Sequence, residues 1–141
     1  MLDGLFVTPV VTAIAEALTS ARADGPIAVV GNAKLARSLG ASREVIAVGV
    51  SARARKTLRS AVDDASELPA RSLAAVVGVD AEDTALQAWS AAVRDGGAIV
   101  IVARGRAAAA SRLALCAGLT ELEQRHAGRV VVTSGLVTHL L

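Results

Sequence analysis

Ile27-Ala28-Val29-Val30-Gly31 and Val45-Ile46-Ala47-Val48-Gly49 are the stretches that decide the fold. Each is a short, wholly apolar run closed by glycine, the pattern of a strand covered on both faces. Between them, residues 33–39 read as a short helix closed by Gly40. The rhythm continues outward. Upstream, residues 10–22 read as an amphipathic helix with Val11, Ile14, Ala15 and Leu18 on one face, broken by Ala23-Asp24-Gly25-Pro26. Downstream, Ser51 is placed to cap a helix from Ala52 to about Ser60, and Leu73 to Val77 is a third apolar strand. Asp80, with Asp83, is placed to cap a helix over residues 81–94 whose buried face holds Leu86, Trp89 and Val93. Asp95-Gly96-Gly97 turns into a strand from Ala98 to Ala103, and Arg104-Gly105-Arg106 leads to an Ala-rich helix, 107–117, stopped by Gly118. Leu119 to Arg125, a turn at Ala127-Gly128, and Arg129 to Thr133 read as a β-hairpin.

Strands alternating with helices predict an α/β fold: a three-layer sandwich, its sheet mostly parallel, with a C-terminal antiparallel hairpin at one edge. Only 14 residues separate Gly49 from Asp64. A full helix and a further strand need roughly 20, so the helix after Ser51 is short or the next strand is vestigial or absent. A length of 141 residues sets one domain, 1–141, as the expectation.

Composition removes several classes of function. Hydrophobic residues make up 53% of the chain and aromatics 1%. That excludes intrinsic disorder and argues against nucleic acid held on stacked aromatics. One cysteine excludes a disulfide framework and a Cys-based zinc site, and His126 and His139 have no ligand-spaced partners, so no metal is expected. A net charge of +2 does not itself imply a polyanion partner. Leu5 to Ala15 has the apolarity of a signal-peptide core, but no basic residue precedes it and Glu16 closes it early. No run reaches the ~18 apolar residues of a spanning helix. A cytoplasmic protein without membrane contact is expected.

In an open α/β sheet, ligands bind beyond the carboxyl ends of the strands, where strand order reverses. The loops there are Gly31-Asn32-Ala33-Lys34-Leu35, Gly49-Val50-Ser51 and Gly78 to Asp83, with helix N–H groups expected to face the crevice. A dinucleotide site wants three spaced glycines, and a ribose site a carboxylate ending the second strand. The chain offers Gly31 followed by Ala33, and Gly49 in the carboxylate's place.

Three segments carry a family resemblance. They are Val93-Arg94-Asp95-Gly96-Gly97-Ala98-Ile99-Val100-Ile101-Val102; then Asp64-Ala65-Ser66-Glu67-Leu68-Pro69 with Ser72-Leu73-Ala74-Ala75-Val76-Val77; and Ala117 to Leu122 with Gly128 to Gly135. In this order they resemble the class I S-adenosylmethionine-dependent methyltransferases, a Rossmann-like superfamily, over nearly the whole chain. The first resembles the family's leucine-lysine-proline-glycine-glycine turn, with Asp95 for proline. The resemblance implies a cofactor site built on Gly31, Asn32, Ala33, Gly49, Asp64 and Ala65, where Asp64 matches the residue that bonds the adenine amino group. The chain departs from the family at that site. The first motif's acid falls on Val29, its second and third glycines on Ala33 and Leu35, the ribose acid on Gly49, and the Phe-Asp pair on Leu73-Ala74. No Asn-Pro-Pro-Tyr segment follows the fourth strand.

Other features have two readings each. Lys34 is an anion partner or a surface lysine, and Asp80, Glu82 and Asp83 hold a general base or cap a helix. Arg53, Arg55, Lys56 and Arg59 engage an acidic partner or form a solvated face pairing with Asp63, Asp64 and Glu67. Trp89 is a core or interface anchor, and Cys116 a buried small hydrophobe. The apolar tail from Gly135 to Leu141 and the shortened sheet edge favour a homodimer or a docking surface for another protein, or the tail folds back on its own sheet. The reading that results is a methyltransferase-like pseudoenzyme: a protein-interaction or scaffold module with no catalytic residues and no cofactor. Beside it stand an active small methyltransferase holding S-adenosylmethionine through an atypical loop, a module for another nucleotide or acyl-carrier ligand, and a receiver-like domain, which lacks the acidic residues it would need.

Overall fold

The computed structural model describes residues 2–58, 60–79, 83–104 and 107–139. The helices are α1 (Leu2–Ser20), α2 (Ala33–Gly40), α3 (Ala52–Arg55), α4 (Asp83–Ala92) and α5 (Ala107–Cys116). The strands are β1 (Ile27–Val30), β2 (Val45–Val48), β3 (Ala61–Val62), β4 (Leu73–Val79), β5 (Val93–Arg104), β6 (Thr120–Ala127) and β7 (Val130–Leu136). All seven strands share one sheet in the order β3-β2-β1-β4-β5-β7-β6. β1 through β5 run parallel; β7 pairs antiparallel with both β5 and β6. The expected three-layer α/β sandwich, with a closing hairpin and a vestigial third strand, is therefore present.

Both faces of the sheet are covered, which explains why its strands are apolar without alternation. Ile27, Val29, Ala75, Val77, Val100 and Val102 pack under α1 and α2. Ala28, Val76, Ile99 and Ile101 pack under α4 and α5. Trp89 of α4 packs against Gly78: a Cβ added there would come within 2.0 Å of the indole. Gly78 belongs to β4, paired with Val30 and Ile101, rather than to the loop the sequence suggests.

Several boundaries move. α1 begins well before residue 10 and runs through Pro9; its buried stripe is Val10, Ala13, Ile14, Ala17 and Leu18, with Val11 and Ala15 on its flank. α3 is one turn and ends at Arg55, because the short connection leaves no chain for more. β5 starts at Val93, inside the expected helix. Its register against β4 shifts between Leu73 and Ala75 while the chain bulges through Arg94-Asp95-Gly96. Gly96 adopts φ +82. At Gly97 a Cβ would stand 2.6 Å from the Ala74 carbonyl oxygen, so the bulge requires glycine there. Cys116 is exposed, not buried: the buried stripe of α5 runs through Ala110 and Ala114, and two residues further on is about 200° round the helix.

The described part of the tail, up to His139, folds back on its own sheet; Leu140 and Leu141 lie outside the described residues. Val137 is buried among α4-side residues and exchanges backbone hydrogen bonds with Gly96 and Gly97, 2.8 Å each. The His139 N–H donates to Asp95 Oδ1 at 2.8 Å, and its Nε2 lies 2.7 Å from the Val93 carbonyl. A carbonyl only accepts, so Nε2 carries the proton.

Candidate functional site

Strand order reverses between β1 and β4, so the crevice beyond their carboxyl ends is the candidate site. Three parallel strand ends are tied together there. The Gly31 N–H donates to the Val48 carbonyl (2.9 Å) and the Gly49 N–H to the Val62 carbonyl (3.1 Å). This ladder brings Gly31, Asn32 and Ala33 after β1, Gly49 after β2, and Asp64 and Ala65 after β3 to one end of the sheet.

Gly31 has φ +79, and no described atom lies within 4 Å of where its Cβ would stand. Gly49 has φ +69, and its nearest such neighbour is the Asp63 carbonyl oxygen at 3.8 Å. The crevice wall is bare backbone at both points. Asn32 caps α2: its Oδ1 accepts the Leu35 N–H at 3.0 Å. That bond takes one helix-start N–H expected to face a ligand. Lys34 is exposed on the first turn of α2.

The turn after β3 is held by Glu67, whose Oε2 accepts the N–H groups of Asp63 (2.7 Å) and Asp64 (3.0 Å). Asp64 is exposed and Ala65 is buried at the start of a one-turn 3₁₀ helix, Ala65–Glu67. Arg55 pairs with Asp63 at 2.6 Å and donates from Nη2 to the Ala61 carbonyl at 3.1 Å. The basic stretch thus pairs in part with the acidic turn, as the solvated-face reading expects, while Arg53 and Lys56 are exposed. Arg59, Asp80 and Glu82 lie outside the described residues. His126 is an exposed residue of β6, and among the described residues no cluster of His, Cys, Asp and Glu has metal-binding geometry. The Arg55–Asp63 pair has opposite charges eight residues apart as its sequence signal, and the Glu67 bonds, which go to backbone N–H groups, have only the capping-box spacing from Asp64 to Glu67.

The family's cofactor, S-adenosylmethionine, can be tested against these residues. Val29 is fully buried, and Val29 and Leu35 pack in the same cluster as α1. Leu73 and Ala74 are equally buried in β4. Three positions where the family keeps an acid or a glycine, now Val29, Leu35 and Ala74, are therefore core, and Gly49 offers no carboxylate to a ribose. The residues do not fit the cofactor as the family holds it.

No family model matches the chain, and no curated protein matches its sequence. Solved structures match its fold. An S-adenosylmethionine-dependent methyltransferase of Thermotoga maritima is 16% identical with TM-score 0.69, over 95% of this chain and 92% of that one. Human N-acetylserotonin methyltransferase, solved with S-adenosylmethionine, is 12% identical with TM-score 0.69, over 94% of this chain and 52% of that one. A chain from the complex of the Haloferax volcanii Trm112 methyltransferase activator with a methyltransferase is 13% identical with TM-score 0.66, over 82% and 83%. Together with the strand order, these likenesses establish the Rossmann-like fold of the class I methyltransferases. None of the described helices is long and apolar enough to cross a membrane.

Proposed function

We propose that this chain is a cytoplasmic, methyltransferase-like interaction module, a single domain that keeps the fold without holding S-adenosylmethionine in the family's way. The burial of Val29 and Leu35 carries this reading. Their positions serve the core under α1, so the side chains there strengthen folding and contribute nothing polar to the crevice. The missing ribose carboxylate removes charge-assisted hydrogen bonds worth about 1.5–3 kcal/mol each, on the order of tenfold to a hundredfold in affinity. A protein partner suits this reading, and the activator complex of the Haloferax neighbour supports partnering on this fold. Isothermal titration with S-adenosylmethionine tests it: the expected result is no binding in the micromolar range, and micromolar binding rejects it.

The open space at Gly31 and Gly49, with Asp64 exposed beside them, favours a second reading. There the cofactor is held by backbone, Asp64 and Ala65 alone, and the chain is a small methyltransferase. Asp64→Ala then abolishes binding; binding unchanged in that variant removes this reading.

A further inference from the structure

We infer that β6 is the docking edge of this molecule and that its partner is a second copy of the chain, paired antiparallel about Gln124. The inference supplies a partner for the interaction reading above, but the pairing itself asks nothing of the cofactor crevice.

The two edges of the sheet differ. β3 has two residues. Its ladder to β2 uses the Ser60 and Val62 carbonyls, which leaves the Ala61 carbonyl on the outer side. Arg55 fills that position with Nη2 while its Nη1 holds Asp63. This edge is plugged by a cation from its own chain. β6 is eight residues long, pairs on one side with β7, and turns its other side outward. An edge of that length presents unpaired N–H and C=O groups that template another strand.

The charges on β6 are arranged in two halves. Glu121 and Glu123 come first, Arg125 and His126 last. Glu123 and Arg125 share the α1 face, where Glu123 accepts the Ser20 hydroxyl hydrogen at 2.9 Å and Arg125 reaches Glu16 at 3.7 Å and Glu123 at 3.3 Å. Leu122 and Gln124 share the opposite face, Leu122 packing with the α4–α5 core and Gln124 bonding the Ala107 carbonyl.

A two-fold axis normal to the sheet, joining two β6 strands, sets same-face residues opposite each other. Centred on Gln124, it places Glu123 against Arg125 of the second copy, twice. Centred on Leu122, it places Glu121 against Glu123; centred on Glu123 or Arg125, it sets like charges face to face. Opposite charges across strands stabilise and like charges destabilise, so the charge pattern selects the register about Gln124. The ladder register breaks between Thr120 and Glu123, and Glu121 adopts φ +50, so the pairing segment is Leu122–His126. With the β3 edge plugged, assembly closes at two copies rather than growing into a fibre.

Analytical ultracentrifugation of the full chain tests this, with amide exchange read on the same samples. The expected result is a reversible dimer in which the amides of Leu122–His126 slow as the dimer fraction rises. Glu123→Arg and Arg125→Glu each convert both cross-copy pairs to like charges and weaken dimerisation by about tenfold or more. The double variant E123R/R125E restores it, and so does mixing the two single variants, which form a heterodimer. Circular dichroism separates loss of dimer from loss of fold, because both residues also pair within the chain. A monomer at all concentrations, a dimer without protection of Leu122–His126, or folded single variants that dimerise unchanged overturns the inference. Titration with S-adenosylmethionine reads the crevice separately, so failure of either proposal leaves the other standing.

Discussion

Two helices of this protein end in the same hydrogen-bonded turn with different residues at its strained position. At the end of α5, Gly118 adopts φ +82, with its N–H bonded to Leu115 and that of Leu119 to Ala114. At the end of α1, Arg22 adopts φ +55, with its N–H bonded to Thr19 and that of Ala23 to Leu18. This is the left-handed helix stop in which glycine carries no steric penalty. An L side chain costs about 1–2 kcal/mol there, partly offset by the greater unfolded-state freedom of glycine. Arg22→Gly is therefore expected to stabilise the fold by about 0.5 kcal/mol and Gly118→Ala to destabilise it by about 1 kcal/mol, as read from urea unfolding midpoints.

At the scale of elements, the bulge opening β5 shows what sequence pattern captures and what it misses. The two glycines at 96 and 97 marked a break, and a break is there. The pattern did not reveal that chain on both sides of it pairs in the sheet, because a bulge and a turn draw on the same residues. Asp95 then acquires a role in joining distant segments, holding the His139 N–H at 2.8 Å across 44 residues. Asp95→Ala is expected to cost about 1 kcal/mol. It should speed amide exchange at Val137 and His139 while leaving Val132, in the middle of β7, unchanged. The shortened α3 and β3 were legible from chain length alone, since 14 residues hold no more. The orientation of α1 was not: an apolar helix with few charges does not fix which stripe faces the core, and the layer beneath it decides.

For the molecule as a whole, the core and the crevice compete for the same residues. Restoring the family's acid by Val29→Asp would put a carboxylate among α1, α2 and β1 side chains with no partner, at a cost of about 3 kcal/mol or more. Denaturant unfolding of that variant is expected to show this loss without any gain in binding of S-adenosylmethionine. Of the candidate site, the sequence made legible which loops form it and which motif residues are missing. It did not reveal that Val29 and Leu35 pack into the core, nor the bonds that Glu67 makes to the β3 turn and Arg55 to the β3 edge.

By itself the sequence determined the α/β class, the near-complete set of strands and the departure of the cofactor-motif positions from the family's residue types. These depend on local apolar runs, on glycine punctuation and on which residue types are present. Only the tertiary structure decided the face of α1 that is buried, the return of the tail to β5, and which sheet edge is left open. Those outcomes depend on contacts between segments far apart in the chain, and no local pattern encodes the layer against which an element will pack.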